Sequence, residues 1–135
     1  MSKIKIEKII KADRNKVYDI TTNYKNFEKN FPKYFPSIRI KSERDDVSVI
    51  EAHMMLGKKE VVMMTKHVKN PPELHEIIVI GGDCKGSRII ERYDLVPEGT
   101  KLTVEADFKL GLFRKPNVSD GLEDIIDEFA RVAEN

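Results

Sequence analysis

From Ser37 to Leu110 the chain keeps a single rhythm, alternating apolar and polar side chains at period two through six successive segments. They read SIRIKSE, VSVIEAHMML, EVVMMTKHV, ELHEIIVI, SRIIERYDL and TKLTVEADFKL. Turn residues separate them: Asp45-Asp46, Gly57-Lys58, Asn70-Pro71-Pro72, Gly81-Gly82 and Pro97-Glu98-Gly99. Parallel crossovers need about a dozen residues or more, so breaks this short predict an antiparallel meander. A sheet with one apolar face must cover it with another element.

The flanks supply candidates. KIKIEKIIKA, with Ile4, Ile6 and Ile10 alternating with charge, predicts one further strand. Asp13 then reads as a helix N-cap, followed by Val17, Ile20 and Tyr24 at helical spacing. A second short helix is expected from Asn26 to Phe31, stopped by Pro32. The chain ends in an amphipathic helix of roughly 16 residues, about 24 Å long at ~1.5 Å per residue. Ser119 is its expected N-cap, Asp120, Glu123 and Asp124 suit its positive end, and Leu122, Ile125, Ile126, Phe129 and Val132 form its apolar stripe. Strand, two short helices, six strands and a long helix make an α+β protein whose last helix covers the sheet.

At 135 residues one domain, 1–135, is expected, large enough to bury a core without staples. The single cysteine, Cys84, excludes an internal disulfide framework and a multi-cysteine zinc site. A formal charge of +1 removes whole-chain attraction to DNA or to anionic membranes. No apolar run approaches the ~20 residues of a membrane span, and MSKIKIEKII lacks a signal-peptide core, so the expected compartment is the cytoplasm.

Three stretches carry a family resemblance: IKADRNKVYDITTNYKNFEKNFP, KNPPELHEIIVIGG and GSRIIERYDLVPEGTKLTVEADFKL. Their order and residue types resemble the START-like superfamily of helix-grip proteins, in its polyketide cyclase-like and coenzyme Q-binding branch. The resemblance implies a seven-stranded curved antiparallel sheet wrapped around the C-terminal helix, with two short helices after the first strand. It also implies an apolar cavity between sheet and helix that holds a small hydrophobic or amphipathic ligand such as a lipid, a quinone or a polyketide-like molecule. Only some members of the group are enzymes, and no cofactor is implied.

HMMLGKKEVVMMTKH, residues 53–67, holds four of the five methionines and two of the three histidines. Soft thioethers beside imidazoles suggest copper. Hairpin geometry argues against it. With a two-residue Gly57-Lys58 loop, Leu56 faces Lys59, Met54 faces Val61, and Ala52 faces Met63. Ile50, Ala52, Met54, Leu56, Val61, Met63, Thr65 and His67 then share the inner face, while Glu51, His53, Met55, Glu60, Val62 and Met64 look outward. His67 sits two same-face steps from Met63, roughly 13 Å along the strand, so no three soft ligands converge and no metal is expected. Outward Met55 and Met64 suggest a partner surface or homodimer contact.

In SRIIERYDL, Arg88, Arg92 and Asp94 take the solvated face, which leaves Ile89, Glu91, Tyr93 and Leu95 inside. Leu102, Val104, Ala106, Phe108 and Leu110 do the same in the last strand. The predicted ligand-binding set is therefore Met54, Met63, Thr65, His67, Glu91, Tyr93, Ala106 and Phe108, with Ile125 and Phe129 from the helix. A carboxylate on an apolar face is a candidate acid/base or a hydrogen-bond partner for a ligand hydroxyl, and Glu91 with His67 is the candidate catalytic pair of a cyclase or dehydratase. His53 and His75 have no evident partner in the sequence. NYKNFEKNFPKYF places Phe27 and Phe31 on one helix face, with Lys25, Lys29 and Lys33 as a basic row that could meet a ribosome or protein partner.

Overall fold

The computed structural model describes residues 2–109, 111 and 114–135. Its elements run β1 (Ser2–Ile10), α1 (Arg14–Thr22), a 3-10 turn (Tyr24–Asn26), α2 (Phe27–Asn30), β2 (Ser37–Arg44), β3 (Val47–Leu56), β4 (Lys59–Asn70), β5 (Leu74–Gly82), β6 (Arg88–Val96), β7 (Gly99–Phe108) and α3 (Lys115–Ala133). The seven strands form one antiparallel sheet in the order β1-β7-β6-β5-β4-β3-β2. α3 packs on its inner face against β1, β3 and α1. This is the expected helix-grip arrangement. Leu110, assigned to the inner face from the sequence, lies outside the described residues. Among the described residues no helix is long and apolar enough to cross a membrane.

Local chemistry explains the elements that matter for the interior. Asp13 caps α1, its carboxylate accepting from the backbone N–H of Asn15 at 3.0 Å. Gly57 takes φ 64° at the first central position of the β3–β4 loop, and Leu56 pairs with Lys59, as the two-residue loop predicts. The inner residues from Ile50 to His67 on these two strands are all buried. Between β4 and β5 the register slips at Met64/Thr65, inserting Ile80 as an extra residue that stands 43% exposed while Val79 stays inside.

Two expectations need correction. α3 begins at Lys115, not after Ser119, and its 19 residues span about 28 Å. Pro116 sits in the first turn, where its missing N–H costs nothing, so the helix starts one turn earlier than the Ser119 signal suggested. Asp120, Glu123 and Asp124 are therefore beyond the first turn. Leu95 does not point into the core: it lies opposite Thr100 beside the β6–β7 turn and is 68% exposed, while Thr100 itself is buried under β1 and the Ala12 carbonyl that its hydroxyl reaches.

Close approach of α3 to the β3–β4 turn depends on Gly121. A Cβ at that position would lie 3.0 Å from the backbone N of Gly57 and 3.1 Å from Leu56 Cα. In an ordinary helix interior Gly→Ala gains about 1 kcal/mol. Here Gly121→Ala is expected to lose about 1–3 kcal/mol through overpacking, read as a lowered urea midpoint.

Candidate functional site

Two registers, joining three strands, build a line of polar side chains across the inner face. His67 on β4 pairs with Ile77 on β5, so His75 is its same-face diagonal neighbour. His75 in turn lies directly opposite Glu91 on β6. Each is buried, His75 at 1% exposure and Glu91 at 6%. Their contacts form one continuous chain. Thr65 Oγ1 meets His67 Nε2 at 2.8 Å, His67 Nδ1 meets His75 Nε2 at 3.0 Å, and His75 Nδ1 meets Glu91 Oε1 at 2.6 Å. The Tyr93 hydroxyl donates to the same Glu91 Oε1 at 2.8 Å and touches Thr21 Oγ1 at 2.6 Å. From the 3-10 turn, the Tyr24 hydroxyl reaches His75 Nε2 at 2.9 Å.

With Glu91 ionised, the chain has two fully bonded proton arrangements. In one, His75 is neutral, with its Nδ1–H on Glu91. His67 then donates from Nδ1 to His75, and the Thr65 hydroxyl donates to His67 Nε2. In the other, His75 carries both protons and donates to Glu91 and His67, and His67 passes its Nε2–H to Thr65. The Thr65 hydroxyl then turns to the carbonyl of Ile50, 3.4 Å away. One proton separates the two, and moving it reverses each imidazole bond on the His67 side. In both arrangements Tyr24 competes with His67 for a single nitrogen of His75, so its hydroxyl is surplus to the chain.

Burial, reinforced by the charges of His75 and Lys69, holds the His67 imidazole well below its ordinary value of 6.5. It is therefore neutral in the folded protein, whereas the unfolded chain takes up a proton near pH 6.5. Below that pH the unfolded state binds more protons, so stability falls as pH falls. The expected slope from His67 is up to about 1.4 kcal/mol per pH unit below ~6.5. Urea midpoints at pH 7.5, 6.5 and 5.5 check it, and His67→Gln should flatten the profile. Burial also raises the Tyr24 and Tyr93 phenols, and pushes Tyr18 up to about 12.

The polar line forms part of the wall of a cavity of about 80 Å³ between the sheet and α3. Of the residues picked out in the sequence, Met54, Met63, Thr65, His67, Glu91, Ile125 and Phe129 line it. Tyr93, Ala106 and Phe108 are buried but do not: Tyr93 holds Glu91 from behind, and Ala106 and Phe108 pair with β1 at the far side of the sheet. Tyr24 and His75 belong to the wall and were missed. Parity could have found His75, which alternates with Ile77 and Val79, but Ile78 and Ile80 make both faces of β5 look apolar.

Outside the cavity, His53 Nδ1 meets Glu60 Oε2 at 2.8 Å on the outer face, where Met55 and Met64 are half-buried. Lys25, Lys29 and Lys33 do not form one helical row. They fall on the 3-10 turn, on α2 and on the turn after Pro32, because the segment is broken rather than continuously helical. Lys25 lies 3.8 Å from Glu43, and Lys33 stands over the ring of Tyr34.

No protein-family model and no curated protein matches the chain. Solved structures do match. A protein from Thermus thermophilus superposes with a TM-score of 0.84 at 14% identity, covering 97% of this chain and 96% of that one. A START superfamily protein from Mycobacterium smegmatis gives 0.75 at 16% identity, with 99% and 95% covered. An aromatase/cyclase from Streptomyces sp. R1128 gives 0.66 at 13% identity, with 98% and 88% covered. At these identities the likeness is one of fold, and the fold is the helix grip of START-like proteins.

Proposed function

We propose that the protein binds a small amphipathic molecule in the cavity between its sheet and α3. The observation that carries this reading is a buried polar chain, Thr65–His67–His75–Glu91, set into a largely apolar wall. Apolar pockets with a few convergent polar groups are the usual form of small-molecule sites, with the polar groups fixing orientation. The flexible thioethers of Met54 and Met63 suit a wall that adapts to its ligand. At about 80 Å³ the cavity as it stands is far below the 300–1,000 Å³ typical of ligand pockets, so a lipid or quinone would need it to open.

Small apolar molecules should raise the thermal midpoint saturably. Ala52→Leu, which fills the cavity from β3, should stay folded by circular dichroism and lose the effect. Undiminished binding by that variant would refute the reading.

A second reading, an acid–base enzyme of cyclase or dehydratase type, is favoured by one observation. His67 and Glu91 line the same cavity and are joined through His75, which gives a carboxylate–imidazole–imidazole relay able to move a proton along its length. Loss of turnover of a candidate substrate in His75→Gln, with ligand affinity retained, would support it over simple binding.

A further inference from the structure

Glu91 is unevenly used. Both of its hydrogen bonds, from His75 Nδ1 at 2.6 Å and from the Tyr93 hydroxyl at 2.8 Å, fall on Oε1. Among the described residues Oε2 has no hydrogen-bond partner, although the side chain is more than nine-tenths buried and lines the cavity. The enclosed side-chain atom left without a partner among the described residues is Asp107 Oδ1; Glu91 Oε2 keeps some accessible surface, and a carboxylate oxygen held in an apolar cavity costs free energy until a donor reaches it. A guest that brings an O–H removes that cost, and a guest that offers only an acceptor does not.

Size narrows the guest further. An apolar cavity of about 150 Å³ takes up benzene, so one of about 80 Å³ admits no more than a single ring, and that only as its flexible methionines give way. Charge narrows it again. The ionisable residues of the described wall are Glu91, His67, His75 and Tyr24, already linked by hydrogen bonds, so a buried anion would face a carboxylate and find no free cation.

We propose that the cavity selects an uncharged single-ring molecule carrying one hydroxyl, of the phenol class, whose O–H donates to Glu91 Oε2. The ring lies among the apolar side chains of Met54, Met63 and Ile125. The inference rests on the ligand-binding reading above and adds the chemical class of the guest.

Calorimetric titration with phenol, toluene, benzaldehyde and benzoate tests it. Toluene matches phenol in size without a polar group, benzaldehyde offers only an acceptor, and benzoate carries charge. In the unaltered protein phenol should bind most tightly, benzaldehyde no better than toluene, and benzoate not at all. Glu91→Gln keeps an acceptor for His75 and Tyr93 but turns an amide N–H₂ to the cavity. The phenol-to-toluene affinity ratio should then fall at least about tenfold, and benzaldehyde should gain on phenol. Benzaldehyde matching phenol in the unaltered protein would overturn the proposal, and that comparison needs no variant. So would an unchanged phenol-to-toluene ratio in a folded Glu91→Gln. Toluene binding without any preference for phenol removes this proposal and leaves the ligand-binding reading standing. Binding of none of the four removes both.

Discussion

His75→Phe is expected to destabilise the protein by about 2–4 kcal/mol, because it leaves a buried carboxylate short of its nearest donor, a loss of ~1–3 kcal/mol for a neutral group and more for a charged one. The substitution takes the Nδ1 donor from Glu91 at 2.6 Å and the Nε2 partner from both His67 and Tyr24. Glu91 keeps only the Tyr93 hydroxyl. The ring volume is nearly conserved, so packing loss contributes little. Glu91→Leu combined with His75→Phe removes both ends of the pair and should recover most of the loss, since apolar replacement of a whole buried pair is often neutral. Urea unfolding of the two single variants and the double variant supplies the cycle. A single-variant cost below ~1 kcal/mol would mean that the pair is not formed.

Phe129→Ala is expected to cost about 3–5 kcal/mol, the range for truncating a buried aromatic. Phe129 packs edge-on against Phe31 at 4.9 Å between centroids and reaches Phe27 at 6.1 Å, joining α3 to the α2 segment that covers the cavity. Its loss joins a new void to the existing one. The variant should therefore admit two-ring guests such as naphthalene, which the unaltered protein excludes. Urea midpoints give the stability, and titration gives the guest size. A loss under ~2 kcal/mol would show that the site collapses around the missing ring.

Fold was readable from sequence because period-two alternation with short turns leaves an antiparallel meander little freedom. The hairpin around Gly57 was readable to the residue: Met54 facing Val61 follows from loop length alone, and the register agrees. The site was legible on β4 and β6, where one face is clearly apolar and an inward His67 or Glu91 stands out. It was not legible on β5. The bulge at Met64/Thr65 stops register from being carried across from β4, and the run Ile77–Ile80 is apolar on both faces, so His75 looked unpartnered. Tyr24 was hidden for a different reason. Its place above His75 follows from how α1 and the 3-10 turn dock, a long-range packing outcome with no local signature. The start of α3 was misjudged because a serine N-cap signal at Ser119 outweighed Pro116, itself compatible with a first turn.

If small molecules bind in the space between the sheet and α3, the methionines report on it directly. Met54 and Met63 line the cavity, while Met55 and Met64, their neighbours in sequence, sit on the outer face. With ¹³C-methyl-labelled methionine, titration with toluene or phenol should shift the Met54 and Met63 resonances saturably and leave Met55 and Met64 in place. Movement of the outer pair alone, or of none of the four at saturating ligand, would contradict the account.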